Sequence, residues 1–179
     1  HGDATARSAL ESQLAAILAT NVSRDAKDYV CRKLMVIGTA SSVPALAQLL
    51  KNPELSHMAR YALERIPAPE AAAALRDAIA NLPAALKIGA ISSLGSRQDG
   101  ESTKALVGLL KETDVAVARA AAHALGAIRN PAAATALSHT QFTGAVKSAA
   151  TDASLACAES LLHQGDKAGA LIMYKQLAK

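Results

Sequence analysis

The sequence repeats itself about every 30 residues, and this period constrains the fold more than any other feature. Four segments end in an apolar residue followed by glycine or proline, and their last apolar residues are Ile37, Ile66, Leu94 and Leu125. A second series lies between them, with central leucines at Leu46, Leu75, Leu106 and Leu137. Two interleaved series with one period predict stacked helix pairs, because one pair alone leaves its apolar face uncovered.

The composition indicates that these segments are closely packed helices. Hydrophobic residues make up 51% of the chain but aromatic residues only 2%, and 43 of the 179 residues are alanine. Alanine is the best helix former and leaves little bulk between neighbouring backbones. We therefore expect an all-α, right-handed α-solenoid of about eleven helices. Residues 1–140 would form the repeat array, with an N-terminal capping helix, and residues 141–179 a helical C-terminal cap packed on the array.

Proline, glycine and serine mark the expected helix ends. All six prolines fall at predicted helix starts or in turns, where a missing N–H group does no harm. Gly38, Gly95 and Gly126 follow the apolar ends of their segments, where a left-handed residue often terminates a helix. Ser23 and Ser56 are placed to cap the helices that follow them.

One segment carries a family resemblance. Residues 114–137, with the sequence DVAVARAAAHALGAIRNPAAATAL, place Asp114 in a turn, Arg119 early in a helix and Gly126 after its apolar end. This pattern resembles the bacterial form of the HEAT repeat, and the resemblance extends more loosely over residues 24–140. It implies a curved scaffold that binds other proteins on its concave side and has no chemistry of its own. The end of the chain, LLHQGDKAGALIMYKQL, is similar to the second half of a tetratricopeptide repeat.

The repeat pattern selects candidate partner-binding residues on the inner helices. Arg60 occupies the position of Arg119, but Ile88 and Cys31 replace the arginine in the other two copies, so a ladder of Asp–Arg contacts would be incomplete. We expect equivalent positions to line one face of the array and to contact a partner. The alternative is that these polar residues only face water and support their own helices. The candidates are Arg60, Tyr61, Glu64, Ser92, Arg119 and His123.

The adjacent residues His57 and Met58 raise the question of a metal or haem site. Neither further ligands at helical spacing nor a CxxCH attachment motif is present, so we expect no metal and no cofactor. The repeat instead places Met58 in the core and His57 in the first helical turn. Cys31 and Cys157 are far apart in sequence and are expected to be free thiols.

The predicted function is that of a non-enzymatic protein–protein interaction scaffold, as a monomeric module of a larger bacterial protein. No catalytic residues are predicted, and the absence of adjacent His–Glu pairs argues against the metal hydroxylases among HEAT-like proteins. Other HEAT-like proteins are bilin lyases, and no residue pattern in this sequence either favours or excludes that class. No apolar run is long enough to span a membrane, and both a cytoplasmic and an exported location remain open.

A basic concave groove that grips a nucleic-acid backbone is the alternative function. The net charge is +4, and phosphate binding depends on clustered cations. Acidic residues dilute the cations, and few aromatic residues are available to stack on bases. The candidate cations are Arg32, Lys33, Arg60, Arg65, Lys87, Arg97, Arg119 and Arg129.

Overall fold

A computed structural model describes residues 3–178, and in this range the chain forms eleven α-helices and no β-strand. Short 3₁₀ turns at Ala40–Ser42 and Gly100–Ser102 precede two of the helices. The helices are α1 (Ala4–Leu18), α2 (Arg24–Ile37), α3 (Val43–Leu49), α4 (Ser56–Arg65), α5 (Pro69–Asn81), α6 (Ala84–Ser96), α7 (Thr103–Leu109), α8 (Val115–Ile128), α9 (Pro131–His139), α10 (Gly144–His163) and α11 (Lys167–Leu177).

The chain divides into two compact units, and the first ends at Ser93. Within it, α2 packs against α4 and α3 packs against α5, so helices two apart in sequence are neighbours. The helix α1 packs against α2 and α3 at the start of the chain. This alternating contact pattern is that of stacked helix pairs.

The second unit begins at Leu94 and repeats the same arrangement. Here α8 packs against α10, and α7 packs against α9. The last helix, α11, contacts both α10 and α9, so α10 and α11 continue the pattern as a further helix pair. The predicted boundary at residue 140 and the tetratricopeptide-like end stay predictions. The predicted all-α fold of stacked helix pairs is confirmed over the described residues.

The predicted core positions are buried. Leu94 and Leu125, the last apolar residues of two successive segments, are both 0% exposed. In the first unit, Met58, Ala62 and Ile66 lie in the core, as the repeat predicted for the helix that carries His57. His57 itself is exposed, because adjacent residues of a helix point to different sides.

Most predicted helix boundaries are also confirmed. Every proline lies in the first turn of a helix or in a connection between helices. The Ser23 hydroxyl caps α2 by accepting a hydrogen bond from the Ala26 N–H at 3.2 Å. The cap predicted for Ser56 is wrong, since α4 begins at Ser56 itself and its buried hydroxyl has no hydrogen-bond partner among the described residues.

The left-handed conformation predicted for the three glycines is wrong, although Gly38 does lie at the end of α2. Gly38 has a φ of −64°, and Gly95 and Gly126 lie inside α6 and α8 rather than after them. The left-handed residues near these helix ends are Gln98 and Arg129, with φ values of 54° and 51°. The glycines instead serve close packing: a Cβ on Gly95 would lie 2.9 Å from the Ala124 Cα.

Among residues 3–178, no helix has both the length and the hydropathy needed to cross a membrane.

Candidate functional site

The side chain of Arg60 reaches from α4 to the backbone of α6. Its Nη1 donates hydrogen bonds to the Gly89 carbonyl at 3.0 Å and to the Ser93 hydroxyl at 3.4 Å. A Cβ on Gly89 would lie 2.6 Å from the Arg60 Nε, so a larger residue here would displace the guanidinium from its present position. Burial lowers the pKa of Arg60, although the nearby Glu64 and Tyr61 oppose this effect.

Glu64 belongs to the same cluster of side chains. The Ser93 hydroxyl donates to the Glu64 carboxylate at 2.7 Å, so Ser93 links the acid to the arginine. Arg60 and Glu64 were selected from the sequence as partner-binding residues, and both are half-buried. Their hydrogen bonds hold α4 against α6 within the first unit.

Gly89 and Ser93 were not recognised from the sequence. The available signal was an isolated glycine inside a helical pattern, which often marks a close approach of another group. Gly89 lies 29 residues after Arg60 in the sequence, and no local rule identifies such a partner.

Tyr61 projects outward from α4, with 51% of its surface exposed. The His57 ring meets the Tyr61 ring edge to face, with the ring centres 4.7 Å apart and the planes at 79°. The His57 Nδ1 also lies 3.3 Å from the Arg60 Nη2. Ser92, on α6, is exposed and points away from the buried Ser93.

The two candidates in the second unit lie on α8. Arg119 and His123 are both exposed, one turn apart, on the helix whose other face packs against α10. Asp114 caps this helix and accepts a hydrogen bond from the Ala116 N–H at 2.8 Å. The structure thus groups Arg60, Tyr61 and Glu64 on α4, and Arg119 with His123 on α8.

A cleft of about 410 Å³ lies between α2 and α4 in the first unit. We call it the α2–α4 cleft. On its α2 side, Arg32 forms an ion pair with Asp28, one helical turn earlier. The lining residues are Asp28, Cys31, Arg32 and Met35 from α2, and His57, Met58, Tyr61 and Arg65 from α4.

A larger cavity of about 590 Å³ lies in the second unit. Its walls come from α9, α10, α11 and the connection after α9, and include the chain's single phenylalanine, Phe142. Polar side chains such as Thr151, Ser154 and Gln176 contribute much of the lining.

Both cysteines are buried free thiols, as predicted. Burial raises the pKa of Cys31 to about 11, and the Asp28 carboxylate adds to the effect. Burial also raises the pKa of Cys157 to about 11, against the opposing charge of Arg129. A nucleophilic cysteine needs the thiolate, so neither residue has the character of a catalytic thiol at neutral pH. Among the residues described, no three His, Cys, Asp or Glu side chains come together to hold a metal ion.

Three of the cations considered for nucleic-acid binding are engaged within the first unit. Arg32 pairs with Asp28, and Arg60 is directed to the Gly89 carbonyl. The Lys33 ammonium lies over the Tyr29 ring, 4.9 Å from its centre. These contacts occupy charges that a phosphate backbone would need.

Comparison with known proteins finds a match to one family over part of the chain. Residues 79–154 match the family model for HEAT repeats. No curated protein matches the chain. The matched segment runs from the end of α5 into α10 and includes the whole of α8, whose sequence first suggested the resemblance.

Proposed function

We propose that this chain, whose residues 79–154 match the family model for HEAT repeats, acts as a non-enzymatic scaffold that binds a partner protein through the exposed side chains of its inner helices. HEAT repeats commonly serve as protein-interaction scaffolds, and repeat stacks offer extended binding surfaces. The inner helices are α2, α4, α6 and α8, named from the repeat in the sequence. The proposed contacts include the six residues selected from that repeat.

The exposed Tyr61 is the observation that carries this proposal. The chain has only four aromatic residues, and this one is 51% exposed instead of filling the core, as is Tyr29 of α2 at 57%. Tyr61 differs from Tyr29 in lining the α2–α4 cleft. Tyrosine and arginine are the residues that most often anchor protein interfaces, because each buries a large area and keeps a polar group. Arg65, also exposed, follows one turn after Tyr61 on the same helix.

The remaining candidates have different parts in the proposal. Arg60 and Glu64 would fix the position of α4 and offer their accessible atoms to the partner. Ser92, Arg119 and His123 are exposed and would contact the partner directly.

The test is affinity capture of a partner from the source organism, followed by calorimetry with the purified pair. Tyr61→Ala and Arg119→Ala should each weaken binding by at least about 1 kcal/mol, the usual threshold for an anchoring residue. The melting temperature should stay nearly unchanged, because both side chains are exposed. The matched controls are charge reversals on the outer side of the pairs, Lys51→Glu and Lys111→Glu. Equal losses from the controls would contradict the proposed binding face.

A further inference from the structure

The α2–α4 cleft exists because one repeat position holds a short side chain. In the repeat, Cys31 of α2 is equivalent to Arg60 of α4, 29 residues later. At the next junction, Arg60 extends across α6 and lies over Gly89. At the α2–α4 junction, the buried Cys31 is too short to extend in this way.

The facing position differs in the opposite sense. This facing position is the one that directly follows the Arg60 position in each copy of the repeat. It is occupied by Gly89 in α6 and by Tyr61 in α4. A long side chain therefore meets a glycine between α4 and α6, whereas a short one faces a tyrosine between α2 and α4. The guanidinium fills the first junction, and the second keeps an open cleft of about 410 Å³.

The floor of this cleft is apolar and adaptable. Met35 and Met58 line it together with Cys31, whose thiol stays protonated at neutral pH. Methionine side chains are flexible and polarisable, and they suit surfaces that accept more than one apolar group. Pockets that bind small molecules commonly measure about 300–1,000 Å³. The cleft lies at the lower end of this range and has room for a large apolar side chain and a neighbouring polar group.

The rim of the cleft carries more positive than negative charge. Arg32 and Arg65 line it with a single carboxylate, that of Asp28. Asp28 pairs with Arg32, whereas Arg65 is exposed and forms no ion pair with any residue that the structure describes. Arginine can bind a carboxylate through two parallel hydrogen bonds, so the exposed Arg65 is chemically suited to pair with an acidic group.

We propose that the α2–α4 cleft binds a peptide segment of a partner protein in which an acidic side chain lies beside a large apolar one. The apolar side chain rests on Met35 and Met58, and the acidic side chain pairs with Arg65. Tyr61 packs along the segment, and its hydroxyl group hydrogen-bonds to the peptide backbone. This inference rests on the proposed scaffold function and adds the chemistry of the segment that is recognised.

The test uses an array of octapeptides, capped at both ends, in which the two central residues take all 400 combinations of the 20 amino acids. Labelled full-length protein is applied to the array, and selected peptides are synthesised for fluorescence anisotropy. Peptides that contain an acidic–apolar pair have Asp or Glu next to Leu, Ile, Met or Phe. They should bind at least tenfold more tightly than the same peptides with Lys in place of the acidic residue.

Two variants locate the site. Arg65→Glu should abolish the preference for acidic peptides and favour lysine in their place, since only the charge at the rim is inverted. Tyr61→Ala should weaken all selected peptides at least fivefold. The matched controls are Lys51→Glu, an equal charge reversal in the same unit, and Tyr29→Ala, which removes an equally exposed tyrosine outside the cleft. Both controls should leave peptide binding unchanged.

Four outcomes would overturn the inference. The array could select no peptide, it could select peptides without an acidic–apolar pair, or the selected peptides could bind Arg65→Glu as well as the natural protein. Free 4-methylvalerate combines a carboxylate with a branched apolar tail. If it bound as tightly as the selected peptides, the inference would also be overturned, because the cleft would then be a small-molecule site. The scaffold proposal is judged separately by capture of a native partner and its loss in Arg119→Ala, which lies in the second unit.

Discussion

Gly126 lies within α8 at the point where this helix meets α10. A Cβ at this position would lie 2.7 Å from the Ala153 Cα and 2.8 Å from the Ala153 Cβ. The obstructing atoms belong to the backbone or are attached directly to it, so a rotamer change in α10 would not relieve the contact. The glycine fixes how closely the two helices approach.

We predict that Gly126→Ala destabilises the protein, although alanine is the better helix former. Overpacking a close helix contact costs about 1–3 kcal/mol, and the gain in helix propensity is about 0.5–1 kcal/mol, so the net effect over most of this range is a loss. The matched control is Gly108→Ala in α7, where a Cβ would meet nothing within 4 Å. The control should gain up to about 1 kcal/mol in urea denaturation. A stabilised Gly126→Ala variant would show that α8 and α10 are not in close contact.

Two arginines at equivalent repeat positions should respond differently to the same change. Arg60 donates to the Gly89 carbonyl and the Ser93 hydroxyl, whereas Arg119 is exposed. Arg60→Met should lower the free energy of unfolding by about 1–2 kcal/mol, because hydrogen bonds from a charged donor are lost in a half-buried site. Arg119→Met should change it by less than about 0.5 kcal/mol. Equal effects in chemical denaturation would mean that the Arg60 contacts do not stabilise α4 against α6.

At the scale of elements, a buried carboxylate joins α1 to the 3₁₀ turn before α3. Glu11 is only 3% exposed, and its Oε1 accepts hydrogen bonds from the Thr39 N–H at 2.6 Å and the Thr39 hydroxyl at 3.0 Å. Burial alone would raise the pKa of Glu11, but hydrogen bonds from Thr39 and Ser42 together outweigh it and lower the pKa. The first helix is therefore attached to the array by a charged acceptor as well as by apolar contacts.

The lowered pKa makes this attachment sensitive to acid. Glu11 binds protons less readily in the folded state, so its contribution is present above the ordinary carboxyl value of 4.5. It is lost as the pH falls through the lower, folded value. We predict that Glu11→Gln lowers the free energy of unfolding by about 1–3 kcal/mol at pH 7. The difference between the variant and the natural protein should shrink as the pH falls below 4.5, toward the lowered pKa of the folded state.

Denaturation curves measured at several pH values test this prediction. Glu54→Gln is the matched control, because Glu54 is exposed and lies in the turn before α4. It should leave both the stability at pH 7 and its pH dependence unchanged. A difference between Glu11→Gln and the natural protein that grows on acidification would contradict the lowered pKa.

At the scale of the whole molecule, each compact unit has its own buried residues. Leu34, Leu63 and Leu75 are fully buried in the first unit, and Leu106 and Leu125 in the second. In repeat stacks each pair is stabilised mainly by its immediate neighbours, so a core mutation acts most strongly on nearby helices.

We predict that Leu125→Ala costs about 2–5 kcal/mol, the range for a fully buried leucine in a packed site. Hydrogen exchange followed by mass spectrometry should show faster exchange in α7 to α10 and little change in α2 and α3. Leu34→Ala is the reciprocal variant and should accelerate exchange in α1 to α4. Uniform acceleration over the whole chain in both variants would show that the protein unfolds as a single cooperative unit.

The sequence by itself determined the helices and the buried side of each one. The spacing of the leucines located the helix pairs, and Leu94, Leu125 and Met58 proved buried as predicted. These features follow from the sequence because helix periodicity and proline placement are local properties, and because the family pattern is carried by a contiguous stretch. The residues that face outward, such as Tyr61, follow from the same periodicity.

Only the tertiary structure decided how the polar residues and the glycines are used. Arg60 contacts Gly89, Glu11 contacts Thr39, and Gly126 lies against Ala153, each across 27 to 29 residues of sequence. Such contacts join neighbouring repeats, and they depend on how closely two helices approach and which side chains meet there. Local sequence patterns do not specify the distance between two packed helices. For the same reason the α2–α4 cleft, which a cysteine in place of an arginine leaves open, became visible only once the helices were packed together.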